Sequence, residues 1–427
     1  MPAPARIVQP RYYEAFRCIG ADCEDTCCDG WGITVDRLTY DKYQHCRDPD
    51  LSSSLHELVT INPAGDDDYA SIKLSETHCP FLSEGLCSIQ TKLGEDYLSN
   101  TCATYPRMMN RVGDVLERTL DLSCPEAARI VLLDQWPFEF IEIGETDSFR
   151  MGTPYVPDTP TAAYDGRTYP HFREVRSLIV TILQGRAYPL WKRLVITGHF
   201  CDKLSEMAIM SNDEDIPGLI QRYSHALNNG SFDELLSKCQ FQPAVQLMTV
   251  LELVVSRITS DFTGRRFLDC YQEFMRGLDW TQESALSEVA QRYAEALVQY
   301  YAPFVNQNQF LMERYLVTYA YKNLFPLGRL ESNRKCGLHH IGNSISIQCM
   351  LMLAYYAIAR TVMIGMAAVH KSSFGVEQAL RLIQSSTKAF QHSTSFPLRV
   401  IEILNHNGLR TGASMAALVQ DVSVTSV

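Results

Sequence analysis

The sequence predicts an α+β chain, mostly α, built as a small cysteine-rich metal-binding unit followed by a larger all-α helical domain. Three observations predict it. Nine of the fourteen cysteines fall between Cys18 and Cys124. A Pro-, Thr- and Gly-rich stretch, MGTPYVPDTPTAAYDGRTYP, follows, and no helix crosses it because proline lacks the amide donor. After it, helix-forming segments run almost to the end. The boundaries read as 1–143 for the cysteine-rich unit, 144–171 for a linker, 172–409 for the helical domain and 410–427 for a flexible tail.

With 427 residues and 46% hydrophobic side chains, the chain buries a large core and has room for more than one domain. A net charge of −11 argues against general attraction to nucleic acid or anionic lipid. The opening MPAPARIVQPRYYEAF has no basic segment followed by an apolar one, so no secretory signal is expected. Ser344 to Val369 is strongly apolar, but Arg360 and Gln348 interrupt it. A charge in mid-bilayer is costly, so this segment reads as a core helix and no membrane insertion is expected.

In chain order, the run CIGADCEDTCC is too short and too rich in Gly and Asp for regular structure. CDGWGITVD places a turn around Trp31 and a short strand at Ile33–Val35. Asp36 caps a helix reaching about Cys46, and Leu51 to Leu58 forms another. The NPAGDDD segment is a loop, Tyr69–Leu74 alternates as a strand, and Thr91 to Thr104 is partly helical. RVGDVLERTLDLSC reads as a hairpin turning at Gly113-Asp114, although Arg118 interrupts its apolar phase. Helices are then predicted at Phe172–Leu183, Leu190–Met210, Ile216–Asn228, Phe232–Cys239, Ala244–Ser260, Arg265–Gly277, Thr281–Val298, Gln309–Leu324, Ser344–His370, Val376–Phe390 and Pro397–His406. No chemistry is written into this half. His339-His340 reads as a surface pair, and Cys201, Cys239, Cys270, Cys336 and Cys349 read as small buried residues.

The clustered cysteines admit three chemistries. Disulfides need an oxidising compartment and an even count, and neither is in view. Zinc takes four Cys or His ligands, commonly from closely spaced pairs, and the adjacent Cys27-Cys28 fits that poorly. An iron–sulfur cluster is larger and tolerates irregular spacing, but C-x4-C-x3-C-C matches neither common ferredoxin pattern. The residues alone therefore predict a metal without choosing it. There is no G-x-G-x-x-G after a strand, no phosphate-binding loop, no H-E-x-x-H and no G-x-S-x-G.

The ordered phrases C-x4-C-x3-C-C, DGWGITVD, IKL, CPFL, LCSIQTKLGEDYLSNTCATYPR and LSCPE resemble the flagellin lysine-N-methylase (FliB) family, within a wider group of cysteine-rich zinc- or iron-chelating domains. The resemblance covers about residues 10 to 130, and YLVTYAYKNLFPLG is a further segment like the family's. It implies a cytoplasmic bacterial enzyme that transfers methyl from S-adenosylmethionine to the ε-amine of flagellin lysines. It also implies a [4Fe–4S] cluster, with zinc as the alternative, on cysteines drawn from Cys18, Cys23, Cys27, Cys28, Cys79, Cys87, Cys102 and Cys124. Eight thiols exceed one cluster's four, so some serve otherwise.

Methyl transfer needs a neutral amine, and so a proton acceptor. Candidates for catalysis are Glu95, Tyr105 and Glu126, with Tyr97 beside them. Arg107 is the candidate to fork onto the carboxylate of S-adenosylmethionine. The competing reading is a non-enzymatic metal-binding or electron-transfer module with a helical partner-docking domain.

Overall fold

The structure is a computed structural model, and it describes residues 6–30, 32–62, 69–75, 78–134, 138–143, 169–210, 215–260, 264–341 and 344–421. It divides into two compact units. The first comprises Met1–Asp158 and Thr387–His392, and the second Thr159–Ser386 and Ser393–Val427. Most of the expected linker, 144–168, lies outside the described residues.

The first unit holds every strand among the described residues and five short helices. Its elements run β1 (Arg6–Pro10), β2 (Thr34–Val35), α1 (Arg37–Gln44), α2 (Ser52–Leu58), β3 (Val59–Ile61), β4 (Ala70–Ile72), β5 (Leu82–Ser83), β6 (Leu86–Cys87), α3 (Ser88–Leu93), α4 (Asn100–Thr104), β7 (Arg107–Val112), β8 (Val115–Leu120), α5 (Pro125–Leu133) and β9 (Phe140–Ile143). The largest sheet has the order β7-β8-β1-β9, with β1 parallel to β8 and antiparallel to β9. The hairpin β7–β8 turns at Gly113-Asp114 as expected, with Val112 opposite Val115.

Arg118 does not disturb that sheet. Strand β8 is an inner strand and all six of its residues are buried. The Arg118 guanidinium donates to Gln9 Oε1 at 3.2 Å and lies 5.7 Å from the Tyr13 ring centroid. A buried charge is tolerable when it is satisfied in this way. Asp36 caps α1, accepting from the Thr39 amide at 3.0 Å, and also accepts from the Asn100 amide at 2.9 Å. One carboxylate thus fixes the starts of both α1 and α4.

The second unit is all helical among the described residues: α6 (Phe172–Gln184), α7 (Leu190–Met210), α8 (Ile216–Asn229), α9 (Asp233–Ser237), α10 (Pro243–Ile258), α11 (Arg265–Gly277), α12 (Leu286–Ala296), α13 (Ala302–Gln307), α14 (Phe310–Lys322), α15 (Leu330–Lys335), α16 (Ser344–His370), α17 (Val376–Ser386), α18 (Phe396–His406) and α19 (Ala416–Val419). The architecture is α+β and mostly α, the predicted class. Pro217 and Pro397 occupy first helical turns, where a missing amide costs nothing, and Gly230 ends α8 at φ 74°. Two predicted helices end early in π-helical turns, Leu297–Tyr301 and Thr387–Gln391.

Ile345–Ser373 is long and apolar enough to cross a membrane, and its apolar window is wholly buried within the fold. At its middle Arg360 is fully buried, donating to Gln246 Oε1 at 3.1 Å, to the Tyr293 hydroxyl at 3.0 Å and to the Gln420 carbonyl at 3.1 Å, and pairing with Asp421. This corrects the expectation of a flexible tail over 410–427. Met415, Leu418 and Val419 are buried, and this segment supplies two of the guanidinium's acceptors, the Gln420 carbonyl and the Asp421 carboxylate; residues 422–427 lie outside the described residues. Arg360→Ala is expected to cost about 2 kcal/mol, moderated by the partial exposure of Asp421. The check is a denaturant midpoint together with faster proteolytic clipping after residue 410.

Candidate metal centre

Backbone pairing, rather than sequence proximity, assembles the thiols. Asp29 and His78 form an isolated antiparallel bridge, and the Cys79 amide donates to the Cys28 carbonyl at 2.8 Å. That sets the CC pair against CPFL. Cys28 shares thiol hydrogen bonds with both Cys27 and Cys79. The small hairpin β5–β6, with Leu82 opposite Cys87, brings the third phrase in, and Cys102 follows on α4, whose N-cap Ser99 accepts from the Cys102 amide at 3.2 Å. Cys28, Cys79, Cys87 and Cys102 all belong to one apolar cluster with Ile33, Val35, Tyr43 and Phe81.

Each of the eight predicted thiols interacts with at least one other. Cys87 and Cys102 each feel Cys27, Cys79 feels Cys87 and Cys102, and Cys124 feels Cys23 and Cys27. Cys18 is exposed and reaches only Cys23. Cys46 is buried in the apolar cluster. Cys27 is exposed over its residue surface, yet its sulfur is engaged with Cys28, and that bond pushes its thiol up.

Two opposing influences act on these sulfurs. Burial pushes Cys102 and Cys124 up to about 12 and raises Cys87, since a thiolate is poorly solvated there. Backbone amides pull the other way: Gln90 and Ile89 donate to Cys87, Ala127 and Glu126 to Cys124, Phe81 to Cys79 and Asp25 to Cys23. In Cys79 the hydrogen bond from Cys28 prevails and holds the thiol below its ordinary value.

Among the described residues no group of three or more Cys, His, Asp or Glu side chains is set to hold a metal ion. Cys27, Cys28 and Cys79 meet as hydrogen-bonded neighbours. In kind the donors do fit a thiophilic group. Soft sulfurs, amide donors aimed at them and an enclosed apolar setting are what such a group requires.

The other predicted residues divide. Tyr105 is partly buried, and its hydroxyl bonds Ser123 Oγ at 2.9 Å close to Cys124 and Cys27. Burial holds its pKa well above the usual value, so it is a neutral phenol rather than a tyrosinate. Glu126, in the first turn of α5, pairs with Arg129, which also pairs with Glu24 of the cysteine run. Glu95 is exposed on the turn after Gly94, and Tyr97 faces Lys42 of α1, whose ammonium lies 5.9 Å from the ring. Arg107 lies 4.9 Å from the Phe16 ring and donates to the Phe16 carbonyl at 3.4 Å.

Sequence reading overlooked Tyr43, buried against Cys102, Cys87 and Cys79, and Asp121 with Ser123 at the end of β8. It also overlooked Lys388 and His392. Lys388 donates to Asp25 Oδ1 at 2.9 Å, and His392 Nε2 lies 3.3 Å from Asp121 Oδ2. The "TCC" and "DLSC" phrases flag Cys but not these neighbours.

Residues 176–418 match the model of the FliB lysine N-methylase C-terminal domain. The chain is 32% identical over 146 residues to the flagellar biosynthetic protein FliU of Salmonella muenchen, covering 34% of this chain and 85% of that protein. It is 32% identical over 131 residues to the Lysine-N-methylases of Salmonella typhimurium and Salmonella choleraesuis. These alignments span 30% of this chain and only 33% of those two relatives. No solved structure matches the chain. A thiol-rich α+β unit followed by an all-helical domain with this match defines the class of lysine N-methylases. The chain belongs to the FliB lysine N-methylase family.

Proposed function

We propose that the protein transfers a methyl group from S-adenosylmethionine to the ε-amine of lysines on flagellin, in the bacterial cytoplasm. The observation that carries the reading is the family match over residues 176–418, joined to relatives named as lysine N-methylases. In the transfer a nitrogen–carbon bond forms as the sulfonium carbon–sulfur bond breaks, the amine proton leaves to a base, and S-adenosylhomocysteine is released.

Lysine has an ordinary pKa of about 10.4, so the site must take up that proton. Glu126 is occupied by its ion pair with Arg129. We assign the proton to the Asp121–His392 pair. Asp121 accepts from the Ser123 amide at 2.9 Å through one oxygen and meets His392 through the other, a geometry that orients the imidazole. Tyr105 stays protonated and orients Ser123. Arg107 is assigned to the donor's carboxylate, exchanging its contact with the Phe16 carbonyl for it.

Cysteines from Cys23, Cys27, Cys28, Cys79, Cys87, Cys102 and Cys124 would hold a [4Fe–4S] cluster, with zinc as the alternative. Bound there, such a cluster would supply an electron-accepting metal.

The test incubates anaerobically purified protein with S-adenosylmethionine and flagellin and maps methyl-lysines by mass spectrometry. Methylation that depends on the donor supports the reading; metal-loaded protein that leaves every flagellin lysine unmodified overturns it. His392→Gln is expected to slow transfer by about a hundredfold near neutral pH. The deficit should shrink as pH rises, because more of the substrate amine is then already neutral.

A further inference from the structure

Residues 387–392 belong to the cysteine-rich unit, although the chain on both sides belongs to the helical one. Thr387–Gln391 is a π-helical turn, and the extra residue in such a turn re-aims the side chains it carries. Lys388 donates to Asp25 Oδ1 at 2.9 Å and to the Thr26 carbonyl at 2.8 Å. Its side chain is only 10% exposed and that of Asp25 only 14%.

A lysine buried to this degree requires compensation. Here it grips a turn that carries three thiols. The Asp25 amide donates to Cys23 and the Cys28 amide to Thr26 Oγ1 at 3.1 Å. At the other end of the segment His392 meets Asp121, three residues before Cys124. The first and last cysteine phrases are thus held by six residues from near the end of the chain.

We propose that Lys388 is a positioning residue of the thiol site: it fixes the Asp25–Thr26 turn that carries Cys23, Cys27 and Cys28, and so holds Cys28 against Cys79. This rests on the reading above only where it takes the thiols to hold a metal.

The experiment compares Lys388→Gln and Lys388→Arg with the parent full-length chain, purified without oxygen. Iron, zinc and sulfide are assayed per chain, and the metal-free chains are labelled with a maleimide, with mass spectrometry locating the label. In Lys388→Gln, metal retention is expected to fall by about tenfold or more, as for loss of a supporting contact behind a metal ligand. Labelling at Cys27 should accelerate, and Lys388→Arg should restore much of both. Unchanged metal retention together with unchanged Cys27 labelling overturns the proposal. Should Lys388→Gln fail to fold by circular dichroism, Asp25→Asn removes the same ion pair from the other side and is judged by the same two readouts. If the parent binds no metal, the metal reading fails alone, and the labelling rates still decide the role of Lys388.

Discussion

Alanine at Cys79, Cys87 or Cys124 is expected to abolish metal retention, while Cys46→Ala keeps it. Each of the first three sulfurs receives backbone amide hydrogen bonds, two of them at Cys87 and two at Cys124. These donors stabilise a thiolate more than a neutral thiol, and so suit these sulfurs to metal ligation. Cys46 is buried in the same apolar cluster and should behave as packing, with a loss of about 1 kcal/mol on truncation. The measurement is iron, zinc and sulfide per chain, alongside the absorption spectrum of each variant. Metal retained at the parent level in all three alanine variants would remove the thiol site from the account. A colourless parent with stoichiometric zinc would keep the site and replace the cluster.

Alanine at Gly365 or Gly277 is expected to destabilise the helical unit by about 3 kcal/mol, at the upper end of overpacking costs. The two glycines lie where α11 and α16 cross. A Cβ on Gly277 would stand 1.9 Å from the Gly365 carbonyl oxygen, and one on Gly365 would stand 2.8 Å from the Phe274 carbonyl oxygen. Backbone cannot step aside as a side-chain tip does, so the helices must separate and the packing around them loosens. Gly375→Ala is the internal control, since its nearest neighbour would be an ordinary 3.5 Å away. Trp280, 6.3 Å from Phe274, gives a fluorescence signal local to this crossing. Equal denaturation midpoints for Gly365→Ala and Gly375→Ala would refute the close-contact explanation.

Local patterns were legible because their causes are local. The β7–β8 hairpin needs Gly113-Asp114 at its turn and alternating residues on either side, and both are visible in the sequence. The helices at Leu190–Met210, Arg265–Gly277 and Ser344–His370 carry long apolar patterns and end as predicted. Strand β1 was missed because RIVQP becomes a strand only through β8 and β9, more than a hundred residues away. Arg118 read as a flaw in the alternation because its acceptor, Gln9, lies on that unseen strand. The cysteine phrases announced the site, since clustered thiols are rare. Lys388 and His392 did not, because QSSTKAFQHS looks like any helix end. Nor did spacing reveal whether the thiols would close around one point.

The membership of residues 387–392 in the first unit has a consequence for biogenesis. A ribosome must finish some nine-tenths of this chain before the partners of Asp25 and Asp121 exist. Domains made first usually fold first. Here the N-terminal unit must wait for a strap delivered late in synthesis, so completion of the thiol cluster is coupled to synthesis of the helical half. A nascent or truncated chain lacking that strap would present its cysteines to metals and oxidants without the Lys388 contacts to Asp25 and Thr26.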